Sequence, residues 1–192
     1  MNVVLDHHRH IQHVVAGDME LAWQAGVQFA KKWLTVTISE PVDIVVTSAA
    51  GYPLDTTFYQ SIKGVVAAAE IVKPGGTIIC AAGMREGLGS KAFVQCFADH
   101  PTIDHFMDAI LSKKYFQIDQ WQLEEYAKVL RKAKVVFVTD GVSAHTLRQM
   151  YAQTTETVEI AVAEALQHYG LHAKIVVIPE GPYVLSRVAP DK

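Results

Sequence analysis

Residues 43–76 read DIVVTSAAGYPLDTTFYQSIKGVVAAAEIVKPGG, and the order of its parts decides the fold. The run 43–47 is apolar without alternation, as in a strand covered on both faces. A turn-rich loop follows at 48–55, with Gly51 and Pro53 as its punctuation. Asp55 or Thr56 then caps a helix from about 57 to 72. Lys73-Pro74-Gly75-Gly76 stops that helix in the usual order of breakers. Residues 77–82 form a second buried apolar run. A strand, a helix and a strand in this order make the two strands parallel and lay the helix over them.

The alternation continues outward in both directions. Toward the C-terminus come a glycine-rich loop at 83–90 before a further helix, helices at 102–112 and 120–133, and a strand at 134–139. A helix at 154–168 with Gly170 just past it and a strand at 174–178 complete the series. Toward the N-terminus, 2–5 and 11–15 read as strands of a hairpin joined by the polar stretch 6–10. Asp18 caps a helix running to about Trp33, with Ala22, Ala25, Phe29 and Trp33 at helical spacing. Glu40-Pro41 then breaks the chain before the strand at 43–47. The expected fold is therefore α/β, one three-layer α/β/α domain over 1–192 with a mostly parallel sheet. The runs 43–47, 77–82, 134–139 and 174–178 are expected as its central strands, with the chain after Pro179 packing elsewhere.

Composition removes several function classes. The chain has 192 residues, half of them apolar, so it can bury a sizeable core. A net charge of -3 offers no basic field for nucleic acid. No apolar run is long enough for a membrane helix, and the His-rich start is too polar for a signal peptide. The two cysteines, Cys80 and Cys96, are not in a CxxC pair, and Cys80 lies in a buried run. A reduced, cytoplasmic chain is the expectation.

The helix in the opening stretch carries the first candidate residues. With Phe58 at the origin of a helical wheel, Ile62, Val65, Ala69 and Val72 fall within about 40° of it, the face that meets the sheet. Gln60 and Lys63 fall on the opposite face, one turn apart. Such a pair is most often a solvated surface. However, Lys63 lies within two turns of the helix N-terminus, where the helix dipole disfavours a cation unless an anion binds beside it. That end also sits at the carboxyl edge of the sheet, where open α/β folds bind ligands.

The stretch 43–76 resembles the corresponding part of the nickel-pincer-dependent lactate racemase family. The tyrosine-proline-leucine-aspartate turn, the tyrosine-glutamine-x-x-lysine-glycine helix start and the lysine-proline-glycine-glycine stop match in order and spacing. The similarity runs more loosely from Asn2 through the later helices. It implies that Gln60, an amide donor, and Lys63, a point positive charge, hold a substrate carboxylate in a cleft between two domains. Tyr59 matches a tyrosine lining that cleft; from its wheel position alone it is equally a half-buried flank residue. Trp121, in Asp119-Gln120-Trp121-Gln122, matches a tryptophan near the substrate. Locally, Asp119 and Gln122 form a capping box with Ile118 and Leu123 as its staple, and Trp121 lies roughly opposite the core stripe of Leu123, Ala127 and Leu130, facing outward.

Two other features carry weaker chemistry. The loop 83–90 can cradle an anion on backbone N–H groups but lacks the dinucleotide fingerprint. His7, His8 and His10 have spacing a metal can use, yet sit in a turn without supporting carboxylates or thiols.

The resemblance implies a C-terminal, substrate-clamping domain of a 2-hydroxy acid racemase or epimerase, with the cofactor-bearing N-terminal domain absent. In the family a nickel-pincer nucleotide, held by that other domain, carries the hydride, and two histidines of that domain serve as acid and base. No catalytic, cofactor-binding or metal-binding residue is therefore expected in this chain, and the isolated chain is expected to be inactive. The expected partners are the missing N-terminal domain and a small anionic 2-hydroxy acid, with no nucleic acid and no membrane. The alternative is a stand-alone ligand-binding or interaction domain. A methyltransferase reading of the lysine-proline-glycine-glycine turn is poor, because no acidic glycine-rich loop follows an early strand.

Overall fold

A computed structural model describes residues 1–6 and 8–190. Its elements in chain order are β1 (Asn2–Leu5), β2 (Ile11–Val15), α1 (Met19–Leu34), β3 (Thr35–Ile38), β4 (Val42–Ser48), α2 (Phe58–Ala69), β5 (Val72–Ala81), α3 (Lys91–Ala98), α4 (Ile103–Leu111), α5 (Gln120–Lys132), β6 (Lys134–Val138), α6 (Ala144–Gln149), β7 (Gln153–Thr155), α7 (Val158–Tyr169), β8 (Ile175–Ile178) and β9 (Leu185–Val188). A short turn of 3-10 helix, Gly181–Tyr183, precedes β9.

The main sheet has five strands in the order β7-β6-β5-β4-β8, and every neighbouring pair is parallel. Parallel strands need helical crossovers, and these cover both faces. Strand β4 shows the consequence: Ile44 and Val45 point to opposite faces and both are fully buried. On the thicker side, α2, α3, α4 and α5 enclose a core in which Phe58 is central. Its ring lies 5.5 Å from that of Phe137 and 5.6 Å from that of Tyr126, both edge-on, with Phe93 and Phe97 at 6.1 Å. Offset and edge-on aromatic pairs of this kind each add about 0.5–1.5 kcal/mol beyond burial. On the other side α7 lays Ala161 and Ala165 on Ile44, Ile79 and Val136. The architecture is the expected three-layer α/β fold.

Several local expectations need correction. Residues 174–178 form an edge strand, because β8 pairs with β4 alone in this sheet. The central helix is shorter than 57–72. Thr57, not Asp55 or Thr56, caps it by accepting from Gln60 N at 3.2 Å, and it ends at Ala69. Lys73 to Gly76 belong to β5 rather than to the helix stop, since Val42 pairs with Val72 before the register resumes at Ile44 and Thr77. The helix read as 154–168 begins at Val158 with Thr157 as its cap, because Gln153–Thr155 pair with β6 instead. The tail after Pro179 returns to pair β9 with β3 in parallel, so both form a small second sheet that local patterning did not show. In α1 the buried positions are Ala22 and Gly26, whereas Ala25 is exposed and Trp33 is 70% exposed. The caps at Asp18 and Gly170 stand as read.

Candidate functional site

Helix α2 is held at its start by the loop it faces. Phe58 N donates to Gly87 O at 2.9 Å and Tyr59 N to Leu88 O at 3.1 Å, while Thr57 takes Gln60 N. The first-turn N–H groups that a helix N-terminus ordinarily offers an anion are thus already bonded within the chain. The loop 83–90 is tied in turn to Asp55 and Thr56. Gly83 N donates to the Asp55 carboxylate, Met84 N to Asp55 O and Glu86 N to Thr56 O, at 2.7–2.8 Å. The amides of Gly83, Met84 and Glu86 are thus used to tie the loop to the segment before α2, and the carbonyls of Gly87 and Leu88 hold the helix start. Positive charge at this edge therefore comes from side chains.

Gln60 and Lys63 stand together on the outward face of α2. Lys63 Nζ donates to Gln60 Oε1 at 2.7 Å, and Lys63 is exposed while Gln60 is half-buried. That bond leaves the Gln60 amide nitrogen and the rest of the ammonium free to donate to one carboxylate. On the wheel Lys63 falls between Gln60 and Tyr59, separated from them by about 60° and 40°. Tyr59 is half-buried and meets Trp121 edge-on, ring centroids 6.0 Å apart at 88°. Burial raises the Tyr59 pKa, the nearby Asp119 carboxylate adds to it, and a hydrogen bond from the Trp121 indole works the other way. The phenol remains protonated at neutral pH and is available as a donor.

Trp121 is 50% exposed at the start of α5. Its placement does not come from the expected capping box. Asp119 adopts a left-handed backbone, φ 67°, and makes no side-chain cap; its carboxylate instead accepts from Ser90 Oγ at 2.6 Å. Ser90 at the same time caps α3 through Phe93 N at 3.1 Å. Gly89, at φ 117°, lets this loop pass beneath Tyr59, whose Cβ lies 2.8 Å from where a side chain on Gly89 would begin. Ile118 is 65% exposed, so the staple is not made. Trp121 meets Tyr59 where the Asp119–Ser90 bond joins the two loops, and the start of α5 is also held by Gln117 N donating to Gln120 Oε1 at 2.7 Å. The contacts of Gln60 and Lys63 are to each other, those of Trp121 to Tyr59, and α2 carries three of the four.

Sequence reading missed a second feature of this edge. A recess of about 220 Å³ is lined by Arg9 of the hairpin turn, Tyr52, Pro53, Glu180 and Tyr183 among others. It forms where the loop after β4, the segment after β8 and the hairpin turn converge, segments far apart in the chain. Ser48 Oγ, which donates to Pro179 O, closes β4 onto that segment.

Among the described residues no group of three His, Cys, Asp or Glu side chains is placed to hold an ion. His8 and His10 approach with ring centroids at 5.9 Å, and His7 lies outside the described residues. Cys80 and Cys96 are unpaired and buried, and burial pushes both thiols up. No helix among the described residues is long and apolar enough to cross a membrane.

A parallel sheet covered by helices, with a lysine–glutamine pair and two aromatics at its carboxyl edge, places the chain in the open-sheet α/β class. Comparison with known proteins gives the family. A family model described as the lactate racemase C-terminal domain matches residues 37–186, and the chain belongs to that family. It is 36% identical over 189 residues to a lactate racemase of Lactiplantibacillus plantarum, and 35% identical to one of Thermoanaerobacterium thermosaccharolyticum. Each match takes in 97% of this chain and 44% of the relative, so the chain spans less than half the length of those enzymes. The structure of the lactate racemase apoprotein from Thermoanaerobacterium thermosaccharolyticum superposes with TM-score 0.88 at 35% identity, over 97% of this chain and 45% of that one. A Thermotoga maritima protein of known structure shares the fold alone, at TM-score 0.58 and 10% identity.

Proposed function

We propose that this chain is the substrate-clamping C-terminal domain of a lactate-racemase-like 2-hydroxy acid racemase or epimerase, acting with an N-terminal domain that holds a nickel-pincer cofactor. The observation that carries the reading is the Lys63–Gln60 pair on the outward face of α2, hydrogen-bonded at 2.7 Å and flanked by the Tyr59–Trp121 contact. Lys63 supplies the charge for a carboxylate and Gln60 an N–H to its second oxygen. Tyr59 and Trp121 form the apolar wall with one phenolic donor. The residues of this chain do not fit the nickel group, since no cluster of donors is assembled for it among the described residues. When bound, that group supplies a hydride acceptor; no step of this kind is assigned to the chain. The unpaired thiols support a cytoplasmic location.

The test is reconstitution. The purified chain alone is expected to hold no stoichiometric nickel and to exchange no hydrogen at the 2-carbon of lactate or larger 2-hydroxy acids. Supplied with a cofactor-loaded N-terminal domain of the Lactiplantibacillus plantarum enzyme, it is expected to turn over. Lys63→Ala in that assembly is expected to raise KM about tenfold or more, the loss of a charge-assisted hydrogen bond of roughly 1.5–3 kcal/mol. Nickel and turnover in the chain alone would overturn the reading. Carboxylate binding without turnover in any assembly would point to a stand-alone ligand-binding domain.

A further inference from the structure

Residues 1–34 form a unit apart from the five-stranded sheet, and it is apolar on more sides than it covers. Strands β1 and β2 pair only with each other among the described residues. One face of this hairpin is taken by α1: His13 stacks on Phe29 with ring centroids 4.2 Å apart, and Val15 lies against Gly26. Val3 and Val14, paired across the strands, belong to the alternate face and are 47% and 51% exposed. Helix α1 repeats the pattern. Its buried line runs through Ala22 and Gly26. Met19, Trp23 and Leu34 extend the apolar arc within about 80° of Gly26, yet they are 87%, 60% and 38% exposed. Between the two elements, Val4, Leu5, Trp33 and Leu34, with Asp6 and Gln12, line a recess of about 300 Å³.

A hairpin apolar on both faces has the composition of a layer between two others, and a two-stranded sheet alone is marginal in water. Trp23 and Trp33 by themselves leave on the order of 200 Å² of aromatic surface in solvent. With Val3, Val14, Met19 and Leu34 also exposed on the same small unit, the apolar surface gathered here is of the kind that marks an interaction site.

Two observations identify what covers it. The family model of the C-terminal domain starts at residue 37 and leaves the hairpin and α1 out, while the full-length relatives align over 189 residues of this chain and therefore carry them. Those relatives are more than twice as long as the match, which takes in 44% of them. In addition, Arg9 in the hairpin turn lines the recess at the carboxyl edge with Tyr52 and Glu180, so the hairpin turn reaches the edge of the sheet at which α2 begins. The geometry points to the hairpin and α1 as the docking surface for the N-terminal, cofactor-bearing domain, with the hairpin sandwiched between α1 and that domain. This rests on the proposed function, which supplies the occupant.

The chain is titrated with the N-terminal domain of the Lactiplantibacillus plantarum lactate racemase, and association is read by sedimentation velocity. A one-to-one complex is expected. Val14→Lys and Trp23→Lys should each weaken it at least tenfold, while Ile160→Lys on α7 leaves it unchanged. All three positions are exposed, and thermal melts followed by circular dichroism verify that the variants fold. No complex, or one indifferent to Val14→Lys and Trp23→Lys, would overturn the inference. So would a dimer of the chain alone that those variants abolish, since a second copy would then be the occupant. A complex made through this surface that racemises no 2-hydroxy acid would leave the docking standing and remove the proposed function. Racemisation that survives both variants would do the reverse.

Discussion

Gly64 follows Lys63 in the chain and decides where it stands. A Cβ at that position would lie 2.7 Å from Ser48 O, 3.1 Å from Ser48 C and 3.3 Å from Ala49 Cα. These are backbone atoms at the end of β4, which cannot rotate away. Gly181 presses from the other side, where a Cβ would meet Ser48 O at 2.8 Å and Gly64 Cα at 2.9 Å. Two glycines thus let a strand end, a helix and the returning tail meet backbone to backbone, and this contact sets the height of Lys63 above the sheet edge. Gly64→Ala is expected to destabilise the chain by about 1–3 kcal/mol, the usual cost of overpacking, read as a lower urea midpoint. An unchanged midpoint would mean that α2 can slide, and that the position of Lys63 is not fixed from below.

Among the elements, the amino-terminal edge of the sheet depends on one carboxylate. Asp43 in β4 accepts from Lys73 Nζ of β5 at 2.6 Å and from Lys174 N, just before β8, at 2.8 Å. It therefore joins three adjacent strands at their starts, while Lys174 Nζ also reaches Glu40. The Lys73 hydrogen bond, followed by the Lys174 amide, holds the Asp43 carboxyl below its usual range. A carboxylate lowered in the folded state contributes stability above its unfolded pKa of about 3.9, and that contribution is lost as pH falls through the lower folded value. Urea unfolding of the parent chain should therefore weaken on acidification below about pH 4. Asp43→Asn should be less stable at neutral pH and show a shallower acid limb. Parallel acid limbs for the two proteins would show that the strand starts are held by other bonds.

At the scale of the whole molecule, packing is uneven. The five-stranded sheet carries an aromatic core on one face and α7 on the other. The hairpin and α1 pack chiefly on each other, with Val3, Val14, Trp23 and Trp33 in solvent. Segments with few buried apolar contacts open at lower free energy than the core they adjoin. Hydrogen exchange of the isolated chain should therefore release the amides of β1, β2 and α1 well before those of β4, β5 and β6. Docking of the partner domain should slow the first group selectively. Uniform protection in the isolated chain would show that the hairpin is an integral part of the core.

Periodicity is local, and what it controls was legible along the chain. The apolar runs of β4, β5 and β6 and the inward stripe of α2 through Phe58, Ile62 and Val65 lie where burial on both faces, or on one, requires them. The caps at Asp18 and Gly170 follow from side-chain and backbone chemistry within a single turn. The outward direction of Gln60 and Lys63 is set by the same wheel. Partners distant in the chain are not written in any window. That β8 lies at an edge, that 35–38 pairs with 185–188, and that Lys73 to Gly76 join a strand were decided by which backbones hydrogen-bond. Asp119 was read as a cap and serves as the acceptor for Ser90, a residue 29 positions away, which local spacing cannot reveal. The recess around Arg9, Tyr52 and Glu180 exists only because three separate segments arrive at one edge. The sequence by itself determined which stretches are strands and helices and which way α2 faces, because burial selects side chains at fixed periods. Tertiary structure alone decided which strands neighbour each other, how the loop amides are used, and what stands beside Tyr59, because those depend on contacts between segments that no local pattern relates.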